Sequence, residues 1–332
     1  MKAHHENIHH LYLFFIRRQR FGNFLFNNFS KHLELQQQKT LAPWLFYDAA
    51  GSVLFEEITE LPEYYLTRTE REIFTAHADE MIAAAAQGSR LSIAELGAGT
   101  AAKTGLLLAA AARAQGSVLY QPVDVSPTAL AEAKTRLEDS LRGVQVAPQV
   151  ADYTRGPILF ERDSRQLVLY IGSSIGNFDP ASAIALLSNL RSQLQPGDAL
   201  LLGTDMVKDR ATLLSAYNDV AGVTAAFNLN VLARLNRELG ADFDLRRFRH
   251  SAIWNAQCSR IEMHLQSTVH QRVSFPSVGE IELAQGETIH TENSYKFTPE
   301  AVAGLLQPAD FALERVWTNE RKWFAVTLAR AA

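Results

Sequence analysis

The side chains best suited to chemistry gather where short apolar runs end. Glu95-Leu96-Gly97-Ala98-Gly99-Thr100 closes the run that begins at Leu91. Gly97 and Gly99 take Cβ out of that turn, so backbone N–H groups can approach a ligand closely, and a nucleotide-like cofactor is expected there. A dinucleotide-binding pattern would place a third glycine at position 102, which here is Ala102. Alanine is tolerated at that position, so the glycines alone leave a dehydrogenase and a methyltransferase both open. Asp124 ends the next apolar run and, as a pure acceptor, suits a ribose diol; the plain alternative is that it starts a turn with Ser126. Asp152-Tyr153 offers a carboxylate for an exocyclic amine and a ring for a base, or else is an ordinary loop pair. Gly172-Ser173-Ser174-Ile175-Gly176-Asn177-Phe178 leaves room for a substrate and supplies an amide with both donors and acceptors, although a structural turn would have the same composition.

These segments need a scaffold that brings them to one edge. Leu91–Leu96, Ser117–Val125, Val144–Tyr153, Gln166–Ile171 and Ala199–Met206 read as strands. Helices are expected between them near Ala102–Ala114, from Ser126-Pro127, and from Asp179-Pro180 to about Leu194, the last two opened by a capping side chain followed by proline. Strands alternating with helices imply a parallel sheet covered on both faces, an α/β fold. After Val207 the alternation stops. Asp209–Val220 and Thr224–Leu239 read as helices, the second with Phe227, Val231, Leu235 and Leu239 at helical spacing and Gly240 placed to end it. Ser251–Val273 and Glu280–Phe297 read as extended. Thr298–Leu306 then gives a helix, and Phe311–Trp317 with Trp323–Ala329 a hairpin. This order suggests an insertion of about ninety residues, partnered by the segment Leu33–Thr69.

Composition narrows the function. The chain has 332 residues, enough for about two domains. With 32 basic and 36 acidic residues and a net charge of −4, it carries no footprint for nucleic acid. Its one cysteine, Cys258, rules out an internal disulfide and a multi-cysteine zinc site, and reads as a buried thiol rather than a nucleophile. The apolar stretch Leu11–Ile16 is too short to span a bilayer, and Arg17, Arg18 and Arg20 follow it, the reverse of a secretory signal. His4, His5, His9 and His10 accompany it; residues 1–28 are expected to be a poorly ordered extension without function. A cytoplasmic protein with no membrane partner is expected.

Longer motifs are more specific. They are Tyr47-Asp48-x-x-Gly51-Ser52, Leu61-Pro62-Glu63-Tyr64-Tyr65-x-Thr67-Arg68-Thr69-Glu70, the Glu95–Thr100 loop, Pro122-Val123-Asp124-Val125-Ser126 and Gly172–Phe178. Ala221-Gly222-Val223-Thr224 through Asn236–Gly240, Arg260–Leu265 and Thr291-Glu292-Asn293-Ser294 complete the set. With these motifs the chain, from about Tyr47 to its end, resembles the histidine Nα-methyltransferase family of ergothioneine biosynthesis. The resemblance implies a Rossmann-like class I methyltransferase sheet with an inserted α+β substrate-binding domain, the latter at 29–70 and 208–296, the former at 71–207 and 297–332. It implies S-adenosylmethionine as methyl donor, L-histidine as substrate and its trimethyl betaine, hercynine, as product, with no metal and a monomeric enzyme. Gly97, Gly99, Lys103, Asp124, Asp152 and Tyr153 fall at cofactor-contacting positions. Tyr64, Asn177 and Tyr217 match residues that grip the amino acid's carboxylate and orient its amine, and Glu292 and Ser294 match the pair that holds the imidazole. Tyr47, reaching toward the cofactor from the substrate side, and Ser174, which stands where relatives often have threonine, are implied at the reacting centre. Alternatives of other classes are the same chemistry on a tryptophan derivative, a nicotinamide oxidoreductase, and a non-catalytic cofactor-binding protein.

Overall fold

A computed structural model describes residues 38–162, 164–276 and 279–332. The amino-terminal histidines and the Leu11–Ile16 run lie outside the described residues. The chain divides into two compact units, one formed by the described residues up to Tyr64 with Arg210–Asn255 and Ile261–Asn293, the other by Tyr65–Asp209, Ala256–Arg260 and Ser294–Ala332. The first boundary falls before residue 70 because Tyr65 opens a continuous helix, Tyr65–Ala86.

In chain order the strands are β1 (Lys39–Thr40), β2 (Leu91–Leu96), β3 (Val118–Asp124), β4 (Val144–Val146), β5 (Gln149–Val150), β6 (Arg165–Tyr170) and β7 (Ala199–Asp205). They continue as β8 (Phe248–Asn255), β9 (Arg260–Ser267), β10 (Gln271–Phe275), β11 (Gly279–Leu283), β12 (Thr288–Tyr295), β13 (Phe311–Thr318) and β14 (Phe324–Ala331). The larger unit is built on a sheet in the order β13-β14-β7-β6-β2-β3-β4, with β5 beside β3. β2, β3, β4, β6 and β7 run parallel, while β14 and β13 close one edge antiparallel. This is the Rossmann-like α/β sheet that the resemblance implies. Side-chain alternation sends Leu167, Leu169, Ala199 and Leu201 to one core with the helices Tyr65–Ala86 and Gly105–Gln115, and Val168, Tyr170, Leu200 and Leu202 to the other with Pro180–Arg191 and Pro299–Leu306. Strand order reverses where β2 lies between β3 and β6, so the loops after β2 and β6 border the crevice in which such sheets bind ligands.

The predicted caps form: Ser126 accepts from the Ala129 N–H at 3.3 Å and Asp179 from Ser182 N–H at 3.0 Å, each just ahead of a proline. Three expected element boundaries are corrected. The expected third strand is two short pieces, β4 and β5, because Pro148 lacks the N–H a continuous ladder needs. The first helix starts at Gly105 rather than Ala102, since Ala101 has φ 51° and the Thr104 hydroxyl is turned inward to Glu95. The helix expected over Asp209–Val220 covers only Arg210–Ser215; beyond it the Asp219 carboxylate accepts the Val223 and Thr224 N–H groups at 2.9 and 2.8 Å and starts the next helix instead.

The smaller unit has a sheet in the order β1-β12-β9-β8 and a separate β10-β11 hairpin. The two stretches read simply as extended are thus five strands, broken at turns. One of these, between β8 and β9, holds Cys258, which is exposed rather than buried. The helix Val223–Leu239 buries Phe227, Val231, Leu235 and Leu239 and ends on Gly240 at φ 69°.

Candidate active site

In the larger unit the turn after β2 carries Gly97 at φ +67° and Gly99 at φ +51°, conformations that side-chain-bearing residues rarely adopt. A Cβ on Gly97 would come within 3.4 Å of the Tyr153 hydroxyl, so the loop, Tyr153 and the β3 end converge. Asp124 Oδ2 accepts the Gly99 N–H and Oδ1 the Ser126 N–H, both at 2.9 Å. The turn and the glycine loop are therefore both pinned by this one carboxylate, whose oxygens each keep further acceptor capacity for a diol. Tyr153 stacks edge-on against Tyr170 with centroids 5.7 Å apart, and its burial raises the phenol's pKa. Asp152 is turned onto its own loop: Oδ1 accepts the Thr154 N–H at 3.0 Å and Oδ2 pairs with Arg155 at 2.9 Å.

Lys103 is not an isolated cation. It pairs with Glu70, whose other oxygen accepts the Gly172 N–H at 2.8 Å, so the lysine and the β6 loop share one fully buried carboxylate. Gly172, at φ +75°, places its missing Cβ 3.4 Å from Lys103 Nζ and 3.8 Å from Ser174 Oγ. Ser174 donates to the Ile171 carbonyl at 3.2 Å, and Asn177 closes the same short 3-10 turn. Beneath the glycine loop Glu95 is buried and accepts from Thr104 at 2.7 Å and from Tyr120; burial pushes its carboxyl up to about 7.

In the smaller unit Tyr47, Tyr64 and Tyr217 join one aromatic cluster. Tyr64 meets Tyr217 and Phe55 edge-on, each at 6.3 Å, and Tyr47 meets Phe55 at 5.8 Å and Phe227 at 6.1 Å. Tyr64 and Tyr217 are buried, whereas Tyr47 is 38% exposed. The Tyr217 backbone is held by His250 Nε2–H at 2.8 Å, and Asn228 donates to His250 Nδ1 at 2.9 Å. Burial lowers the His250 pKa, keeping the ring neutral in that relay. Glu292, close to the end of this unit, and Ser294, the first residue of the larger unit's last segment, are two apart on β12, on one side of the strand, and both are buried.

Residues 28–331 match the family described as histidine-specific methyltransferase, SAM-dependent. The chain belongs to this family. Relatives named histidine N-alpha-methyltransferase from Mycolicibacterium smegmatis and Mycobacterium tuberculosis are each 44% identical, over 292 and 296 residues respectively, in both cases 88% of this chain and 90% of theirs. The Neurospora crassa protein named ergothioneine biosynthesis protein 1 is 30% identical over 88% of this chain, which spans 33% of that longer protein.

This methyltransferase also contains polar groups that sequence reading passed over. Asp205, at the end of β7, is wholly buried against Lys296 at 2.8 Å, the Tyr65 hydroxyl at 2.7 Å and Lys208. Burial lowers the Lys208 pKa to about 8. Lys296 continues the alternation Glu292, Ser294, Lys296, which was the available signal. Glu262, His264 and His290 form a second group, with donor atoms within 4.8 Å of one another. Glu262 pairs with His264 Nε2 at 3.3 Å, the two imidazoles stack at 4.8 Å, and His290 Nε2 donates to the Glu292 carbonyl at 3.0 Å. The His290 bond links this cluster to the strand that carries Glu292. Among the described residues no helix is long and apolar enough to cross a membrane.

Proposed function

We propose that the chain converts L-histidine to Nα,Nα,Nα-trimethylhistidine by three in-line methyl transfers from S-adenosylmethionine, the opening step of ergothioneine formation, as a cytoplasmic monomer acting on a small molecule. The observation that carries this reading is the 44% identity to histidine N-alpha-methyltransferases along nearly the whole of both chains. The residues fit the methyl donor: the glycine turn leaves open the space a Cβ would fill beside Tyr153, and Asp124 presents acceptors at the end of β3. S-adenosylmethionine, when bound, supplies a methyl group already activated on a sulfonium, so no metal or covalent enzyme intermediate is needed.

The protein's own part is positioning, which in favourable cases is equivalent to effective molarities of about 10⁵ M or more. In this reading Gly97, Gly99, Lys103, Asp124, Asp152 and Tyr153 serve the cofactor. Tyr64, Asn177 and Tyr217 hold the carboxylate and amine, and phenol and amide donors do so without adding a cation near the sulfonium. Tyr47 and Ser174 flank the reacting nitrogen, and Glu292 with Ser294 takes the imidazole. The segments 29–70 and 208–296 bind the amino acid, and 71–207 with 297–332 the cofactor. The α-amine, whose unperturbed pKa is near 8 in peptides, can release its proton to water. Small residues Gly172, Ser173 and Ser174 give the growing methylammonium room to turn. An indole substrate would leave Glu292 without a ring nitrogen pair to satisfy it, which favours histidine over a tryptophan derivative.

Calorimetric titration with each of the twenty amino acids, with and without S-adenosylhomocysteine, tests the assignment. Histidine alone should bind in the micromolar to millimolar range, expressed as Kd of about 1 mM or lower. Equal or tighter binding of tryptophan would transfer the assignment to the indole alternative, and no amino-acid binding would leave only a cofactor-binding protein.

A further inference from the structure

Lys296 stands out because a wholly buried ammonium is costly unless fully used. Its charge is met by Asp205 Oδ2 at 2.8 Å, and a second N–H donates to Ser294 Oγ at 2.8 Å. Asp205 does not depend on it, since the Tyr65 hydroxyl and Lys208 also engage that carboxylate. The backbone fixes the lysine's place as well: its N–H donates to the Ser259 carbonyl at 2.8 Å and its C=O accepts the Ser259 hydroxyl at 3.0 Å. From the other side the Asp205 N–H donates to Ser173 Oγ at 2.9 Å, beside the Gly172–Phe178 loop.

An ammonium has donors and no acceptor, whereas a hydroxyl has one proton and two lone pairs. The bond from Lys296 therefore makes Ser294 Oγ an acceptor on the lysine's side and turns the hydroxyl's own proton away from it. Glu292, one alternation earlier on β12, is an acceptor when ionised. A neutral imidazole has one N–H and one lone pair, the complement of an acceptor beside a donor. We propose that Lys296, anchored by Asp205, is a positioning residue for substrate recognition: it sets Ser294 as a hydrogen-bond donor to the ring, so that the site takes histidine as a neutral imidazole with its N–H on Glu292 and its lone pair on Ser294. This inference rests on the assignment of Ser294 to the imidazole.

The test is a double-mutant cycle between Lys296 and Ser294, read in steady-state kinetics with histidine varied at saturating S-adenosylmethionine. Lys296→Met should raise the histidine KM about tenfold or more and change kcat by less than about threefold, because the lost contact is made equally before and during transfer. Lys296→Gln, which keeps a donor without the charge, should recover part of that loss. Ser294→Ala should raise KM comparably, and adding Lys296→Met to it should change KM no further, since the lysine acts through the hydroxyl. S-adenosylmethionine affinity should be the same in all variants. If Ser294→Ala raises KM while Lys296→Met does not, or if the two effects multiply, the positioning role is overturned and the Ser294 assignment stands. If Ser294→Ala leaves KM unchanged, the assignment itself fails and the inference with it. Should Lys296→Met not fold, Lys296→Leu, which also removes the donor, gives the same decision in the same cycle.

Discussion

In the proposed function Glu292 is the side chain on which substrate identity turns, a buried carboxylate held on β12 with its backbone C=O accepting from His290. A hydrogen bond to a charged group contributes about 1.5–3 kcal/mol. Glu292→Ala should therefore weaken histidine binding by roughly 10- to 100-fold in calorimetry, with S-adenosylmethionine binding unchanged. Residue types and spacing made only the cofactor side of the candidate site legible in the sequence. Two glycines after a strand and an aspartate at the end of the next announce themselves locally, whereas Glu292 and Ser294 took their role from the family resemblance. Lys103 came from the resemblance without its partner Glu70, and Asp205 gave no sign of Lys296, because each pairing joins segments far apart in the chain. Tyr64 and Tyr217 carry no local signal and took meaning only from the family resemblance.

At the scale of the elements, the glycine turn is the most demanding piece of backbone. Gly97→Ala would put a side chain at φ +67° and a Cβ 3.4 Å from the Tyr153 hydroxyl, a conformational strain of about 1–2 kcal/mol. Its S-adenosylmethionine affinity should fall about tenfold, as measured by calorimetry, with a much smaller change in histidine affinity. Caps and apolar periodicity made the helices Pro127–Ser140, Pro180–Arg191 and Val223–Leu239 readable because both signals are local. Where expectation failed the causes were local but masked by the apolar pattern: Pro148 divides the third strand and Asp219 cuts a helix short to start the next, while Cys258 lies on a turn whose exposure no neighbour in sequence announced.

Across the whole molecule two buried groups give the units opposite responses to acid. Glu95, in the larger unit, ionises near 7 when folded against an ordinary value of 4.5. Its protonated form favours the fold, so that contribution is full below about 4.5 and is lost as pH rises through 7. His250, in the smaller unit, has a lowered pKa, so its contribution is full above its ordinary value of 6.5 and is lost as pH falls below it. Hydrogen exchange at pH 5 against pH 7, corrected for intrinsic rates, should show β2 and β3 gaining protection while β8 loses it. Glu95→Gln should abolish the gain in β2 and β3. A uniform response of both units would contradict these assignments. The account as a whole stands on the reaction itself, and the direct measurement is mass spectrometry of L-histidine incubated with the protein and S-adenosylmethionine. We predict mono-, di- and trimethylated histidine appearing in turn and ending at the trimethyl species; histidine left unmethylated while another amino acid accumulates methyl groups would contradict it.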